Sequence, residues 1–258
     1  MKLHEIIEVM EKWAPLSLQE EWDSSGLQIG DRNDEIRGIL VSMDCESEVV
    51  KYASENGLNL IINHHPLIFK PIPNLDFSTM LPRTIKEVIQ SGINVYAAHT
   101  NLDSAPGGVN GVLAESLGYE LPYILDDKGD GIGMGRFGSI ESISASELSK
   151  NITESLGINF SILYQDPNKT IKSLAVVGGG GSFMIDRCVE YGIDALVTSD
   201  IKYHEYRYAL DMGLTLIDIG HYNSEYPIVN RIADYLKTNL QSDIKIETYH
   251  IPDQRYVY

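Results

Sequence analysis

Asn63-His64-His65-Pro66 closes an apolar run, Leu58-Asn59-Leu60-Ile61-Ile62, that reads as a buried strand. Successive side chains on a strand point to opposite faces, so two adjacent imidazoles cannot share one side while the pleat continues. Pro66 has no N–H for a ladder and pushes the preceding residue toward extended or turn geometry, which puts the pair at the strand's carboxyl end. In an open parallel sheet, ligands bind outside that edge. Neutral imidazoles are common metal ligands, and two in succession suit two ions as readily as one. A hydrogen-bonded histidine pair in a loop reads the same way, so the rest of the chain must decide.

Two further strands end alike. The run from Ile93 to Ala98 leads to His99-Thr100-Asn101-Leu102-Asp103, and the run from Leu214 to Ile219 leads through Gly220 to His221-Tyr222-Asn223-Ser224-Glu225. Ends of parallel strands share one edge, so a His pair, a His/Asp pair and a His/Glu pair can converge on one pocket. Asp103 precedes a turn-rich stretch and also fits an Asx-turn; Ser224 or Glu225 also fits a helix cap, with His221 on the loop before it. Imidazole and carboxylate donors without thiolate suit Zn, Mn, Fe, Co or Ni. Two such ions about 3.5–4 Å apart would supply a nucleophile at neutral pH and polarise an electrophile, which is hydrolytic chemistry. Asp200 and His204, with Lys202, follow another strand and could act as proton shuttles and an anion contact, or as a cap and a solvated helix face. Gly178-Gly179-Gly180-Gly181-Ser182, between a strand and a helix, allows either an anion cradle or a tight turn; it lacks the spacing of a P-loop or a dinucleotide fingerprint.

The elements needed to position these residues are legible in the periodicity. Leu3, Ile6, Ile7, Met10 and Trp13 mark an amphipathic helix that stops before Pro15. Short apolar strands then alternate with helices stopped by Gly57, Gly92, Gly118 and Gly213, the grammar of an α/β protein with mainly parallel sheets. The Asp/Gly-rich stretch from about Pro122 to Gly135 reads as a linker or a long hairpin loop. Two α/β lobes of similar strand–helix grammar follow.

Twenty Lys+Arg against 37 Asp+Glu give a formal charge of −17, which argues against non-specific binding to nucleic acid or anionic membrane. No apolar run approaches the roughly 18 residues of a spanning helix. Met1 to Glu8 carries early acidic residues and no apolar signal core. Cys45 and Cys188, with no metal-type spacing, fit unpaired fillers in a reducing cytoplasm.

Six motifs in order resemble the Nif-three-like family, the type 2 homologues of GTP cyclohydrolase I. They are Trp22-Asp23-Ser24-Ser25-Gly26-Leu27-Gln28, Asn63-His64-His65-Pro66-Leu67, Ala98-His99-Thr100-Asn101-Leu102-Asp103, the glycine run from Gly178, Ser199-Asp200-Ile201-Lys202-Tyr203-His204, and Gly220-His221-Tyr222-Asn223-Ser224-Glu225. The resemblance implies two related α/β lobes, 1–125 completed by 223–258 and 126–222, a toroidal homohexamer, and two divalent ions per subunit on His64, His65, Asp103, His221 and Glu225, with Glu225 as the bridge. His99 is then a sixth ligand or a shuttle. The expected function is metal-dependent hydrolysis of a small molecule of the nucleotide class. The alternatives are a phosphoesterase on the same centre or a non-catalytic metal-binding assembly protein.

Overall fold

The computed structural model describes residues 1–241 and 243–251, so the far end of the expected first lobe, 252–258, lies outside the described residues. In chain order the elements are α1 (Leu3–Trp13), β1 (Gly26–Ile29), β2 (Gly38–Ser42), α2 (Ser47–Glu55), β3 (Leu60–Asn63), α3 (Met80–Gln90), β4 (Asn94–Ala97), α4 (Thr100–Ser104) and α5 (Val109–Ser116). They continue with β5 (Tyr123–Gly129), β6 (Ile132–Ser144), α6 (Ala145–Leu156), β7 (Ile162–Tyr164), β8 (Thr170–Val176), α7 (Ile185–Glu190), β9 (Ala195–Thr198) and α8 (Tyr203–Asp211). The last are β10 (Thr215–Asp218), α9 (His221–Glu225), α10 (Pro227–Asn239) and β11 (Lys245–Thr248). Among the described residues no helix is long and apolar enough to cross a membrane.

Among the described residues two compact units result, one of Met1–Leu102 with 229–251, the other of Asp103–Ile228. The units divide at 102 and 228 where the sequence reading divides at 125 and 222. The cause is burial: Leu113, Leu117 and Leu121 pack with Leu148, Ile171 and Leu174, so the chain after Asp103 belongs to the second core.

The first unit carries a five-stranded sheet in the order β1-β4-β3-β2-β11. Its last four members run parallel, and β1 lies antiparallel on β4. Strands β2, β3 and β4 are buried throughout, as expected where helices cover both faces. Each Ile, Leu or Val so enclosed contributes roughly 1.5–3 kcal/mol of burial.

The second unit carries a six-stranded sheet, β5-β6-β8-β9-β10-β7. Only β8-β9 and β9-β10 are parallel; the flanking pairs are antiparallel. The α/β class thus stands, with a more mixed second sheet than the sequence suggests. Much of the mixing comes from β5 and β6, a hairpin in place of the expected linker or loop. Its tip is Asp130-Gly131, both at positive φ, the two-residue turn that matches strand twist. Asp126, Asp127 and Lys128 in β5 are poor strand formers and disguised it.

Candidate metal centre

Strand register sets the first unit's site. Ser42 pairs with Asn63, and Asn63 with Ala97. Counting two residues beyond each paired end gives Asp44, His65 and His99, all at one sheet edge. Gly26 pairs with Ala97, so the chain entering β1 delivers Asp23 to the same edge. The pleat ends after Asn63 as expected, and His64 and His65 turn apart: the buried His64 ring places Nδ1 2.7 Å from the Ala98 carbonyl, while His65 Nδ1 lies 2.8 Å from Asp44 Oδ1. His99 Nδ1 is 2.7 Å from Asp23 Oδ1. The His99 ring centroid stands 5.2 Å from that of His64 and 5.8 Å from that of His65.

Asp23 is the anchor that the sequence reading missed. It accepts from His99, from the Thr100 hydroxyl and backbone N–H, and from Ser24 N–H and the Ser25 hydroxyl. Burial alone would raise its carboxyl; the bonds from His99 and Thr100, with the nearby imidazole, outweigh it and hold the group well below the usual carboxylate range. Asp44 was missed too. Its signal was available, because parallel neighbours deliver residues at equal distance past their ends to one place.

The second unit repeats the device. Thr198 pairs with Asp218, and Asp200 and Gly220 follow two residues on. Asp200 adopts φ +56, unusual for a residue with a side chain, and its Oδ2 lies 2.6 Å from His221 Nδ1. His221 opens α9 instead of lying on a loop, and Ser224 and Glu225 lie inside that short helix, directly before α10. One helical turn then sets His221 Nε2 3.1 Å from Glu225 Oε2, the spacing at which i and i+4 side chains meet. Glu225 is 4 % exposed. Ser224 is used structurally: its hydroxyl donates to the His221 carbonyl and accepts from Gly179 N–H at 2.8 Å. Asp103 sits in α4, its carbonyl taking a bond from Asn110, which also receives Gly178 N–H. His204 lies exposed on α8, its ring edge-on to Tyr203.

The glycine run supports this pair. Gly178, Gly179 and Gly181 donate their amides to Asn110, Ser224 and Thr198, an internal use that favours the tight-turn reading over an anion cradle. A Cβ on Gly179, at φ +65, would sit 2.3 Å from Glu225 Oε1 and 3.3 Å from His221 Cε1. Gly179→Ala is therefore expected to displace Glu225 and cost about 1–3 kcal/mol through overpacking and backbone strain. Gly157→Ala, at φ +64 with nothing within 4 Å, is the control and should cost about 1 kcal/mol or less. Thermal melts of the two variants, with metal titrations of each, separate crowding from strain.

The donor chemistry fits divalent metal. In all four histidines Nδ1 faces an oxygen acceptor, an arrangement that favours the proton on Nδ1 and makes Nε2 the nitrogen suited to a metal or a proton. The thiols are outside this chemistry: burial, with Asp44 and Glu46 nearby, pushes Cys45 up to about 12, and burial pushes Cys188 to about 12. Both are buried and unbridged, as the sequence suggests.

A family model described as Duf34/NIF3 (NGG1p interacting factor 3) matches residues 1–255. A Clostridium perfringens protein named GTP cyclohydrolase 1 type 2 homolog is 38% identical over 248 residues, covering 95% of this chain and 95% of that one. Among solved structures, a Bacillus cereus protein related to NIF3 shares the fold at TM-score 0.94 and 23% identity, over 100% of this chain and 99% of that one. A Staphylococcus aureus hypothetical protein gives 0.92 at 29% identity, over 100% of this chain and 99% of that one. With the family model matching from residue 1 to residue 255, the chain belongs to the Duf34/NIF3 family.

Proposed function

We propose that the protein holds two divalent ions on His64, His65, Asp103, His221 and Glu225 and hydrolyses a nucleotide or related small molecule. The observation that carries this reading is the common pose of His64, His65 and His221: Nδ1 bound at 2.6–2.8 Å in each, Nε2 the nitrogen suited to coordination. That the donors of both units serve one centre is part of the proposal. It is supported by their equivalent places past parallel strand ends and by the name of the Clostridium perfringens relative, GTP cyclohydrolase 1 type 2 homolog. A homohexamer is proposed from the family resemblance alone.

Divalent ions held there supply Lewis acidity and a nucleophile at neutral pH. The chain's own residues do the rest. The Ala98 carbonyl, Asp44 and Asp200 hold His64, His65 and His221 in one tautomer, which makes Asp200 a positioning residue and not a shuttle. Glu225, with two oxygens, is the proposed bridge. His99, held at Nδ1 by Asp23 beside the other imidazoles, would take up a proton at Nε2 and pass it to the substrate nitrogen that departs as its C–N bond breaks; exposed His204 is the second candidate for that transfer.

The test is metal content and nucleotide turnover on protein purified without chelator. About two ions per subunit are expected, and chelation should abolish turnover, with added metal restoring it. Bound metal without consumption of any nucleotide overturns the hydrolase reading in favour of an assembly protein. Phosphate release with the base intact replaces it by phosphoester hydrolysis, and the absence of metal removes the centre altogether.

A further inference from the structure

Two aromatic rings stand in solvent beside His99. Trp22 is 61 % exposed and Phe69 40 %, although large aromatics normally gain most from burial. Their centroids lie 5.9 Å apart at 70°, and each ring is edge-on to His99, at 6.2 Å for Trp22 and 6.0 Å for Phe69. The three rings make an open corner with sides of nearly equal length.

This corner is built, not incidental. Trp22 directly precedes Asp23, whose buried carboxylate is fixed by five hydrogen bonds. Phe69 lies on the loop after Pro66. Gln28 braces the two segments: its Oε1 accepts from Ile68 N–H at 3.0 Å and its Nε2 donates to the Ser24 carbonyl at 2.6 Å. One side chain therefore sets the spacing between the residues next to each ring. The span from Trp22 to Gln28, which the hydrolytic reading leaves unused apart from Asp23, acquires a purpose.

We infer that Trp22 and Phe69 form an aromatic corner that receives the flat heteroaromatic ring of the substrate beside His99, with Gln28 as the positioning residue that holds it open. Aromatic faces stack on planar rings with little regard to substituents. The corner selects a ring and leaves the reacting bond to the imidazoles. The inference deepens the hydrolytic reading by naming what the substrate must carry, and it rests on that reading only for the identity of the site.

The test uses the full chain with guanosine 5′-monophosphate, and with ribose 5-phosphate as the probe lacking a base. Calorimetry should show Trp22→Leu weakening binding of the nucleotide by about tenfold to a hundredfold, with Trp22→Phe restoring most of it and ribose 5-phosphate unaffected by either change. Gln28→Leu should weaken the nucleotide without touching ribose 5-phosphate. Trp22 is one of two tryptophans, so in a Trp13→Phe background its fluorescence should be quenched by the nucleotide alone. Equal binding of the two probes, unchanged affinity in Trp22→Leu, or a shift of oligomeric state in Trp22→Leu, which would make the rings a subunit contact, overturns the inference. Ring-dependent binding without turnover of any nucleotide upholds the corner and removes the hydrolytic reading. Turnover that is indifferent to Trp22 and Phe69→Leu does the reverse.

Discussion

Glu225→Ala is expected to lose bound metal and about a hundredfold in turnover together, since in the proposed two-ion centre its carboxylate is the group that would hold both ions. The side chain is 4 % exposed, 3.1 Å from His221, and close enough to Gly179 that a Cβ there would lie 2.3 Å from its Oε1. Stability gives an independent readout. A ligand that binds only the folded state stabilises it by about 2.7 kcal/mol at a hundred times its Kd. Adding divalent metal should thus raise the melting temperature of the wild type and leave that of the variant nearly unmoved. Metal analysis paired with calorimetry decides the matter, and a variant that keeps full metal and full rate would exclude Glu225 as a ligand.

Asp23→Ala should instead show itself in the fold. Its carboxylate takes bonds from His99, Thr100, Ser24 and Ser25, and the side chain is fully buried. Charged hydrogen bonds contribute about 1.5–3 kcal/mol each, partly shared within a network, and the donors left behind lose their acceptor. A loss of about 3 kcal/mol is expected, lowering the melting temperature by roughly 6–12 °C. The pH dependence has a definite sign. The folded carboxyl is held well below its ordinary value, so its contribution is fully present above about pH 4, the unfolded value, and fades as pH falls from there through the folded one. Urea midpoints of wild type and variant should therefore lie far apart at neutral pH, begin to converge below about pH 4, and keep closing as pH falls further toward the folded value. A constant gap across that range would refute the assignment. His99 should also lose its tautomeric preference, visible in the nitrogen chemical shifts of the imidazole.

Much of the candidate site was readable in residues 63–66, 99–103 and 221–225, because histidines after apolar runs place themselves at strand ends without any knowledge of the partners. Strand and helix alternation came from local periodicity, which needs only the chain's own burial pattern. What the sequence could not order was the second ring of bonds. Asp23 meets His99 across 76 positions and Asp44 meets His65 across 21, and such pairs depend on register, a property of two strands and not of either one. The hairpin of β5 and β6 escaped for a related reason: its edge strand is polar, and pairing with β6, not burial, makes it a strand. Glu225 read as a ligand or a cap one turn after His221, and its 3.1 Å contact with that ring and its closeness to Gly179 came only with the fold. The donor types were determined by the sequence alone, whereas the pose of each imidazole was decided by tertiary contacts, since a side chain's identity is local and its hydrogen-bond partner is not.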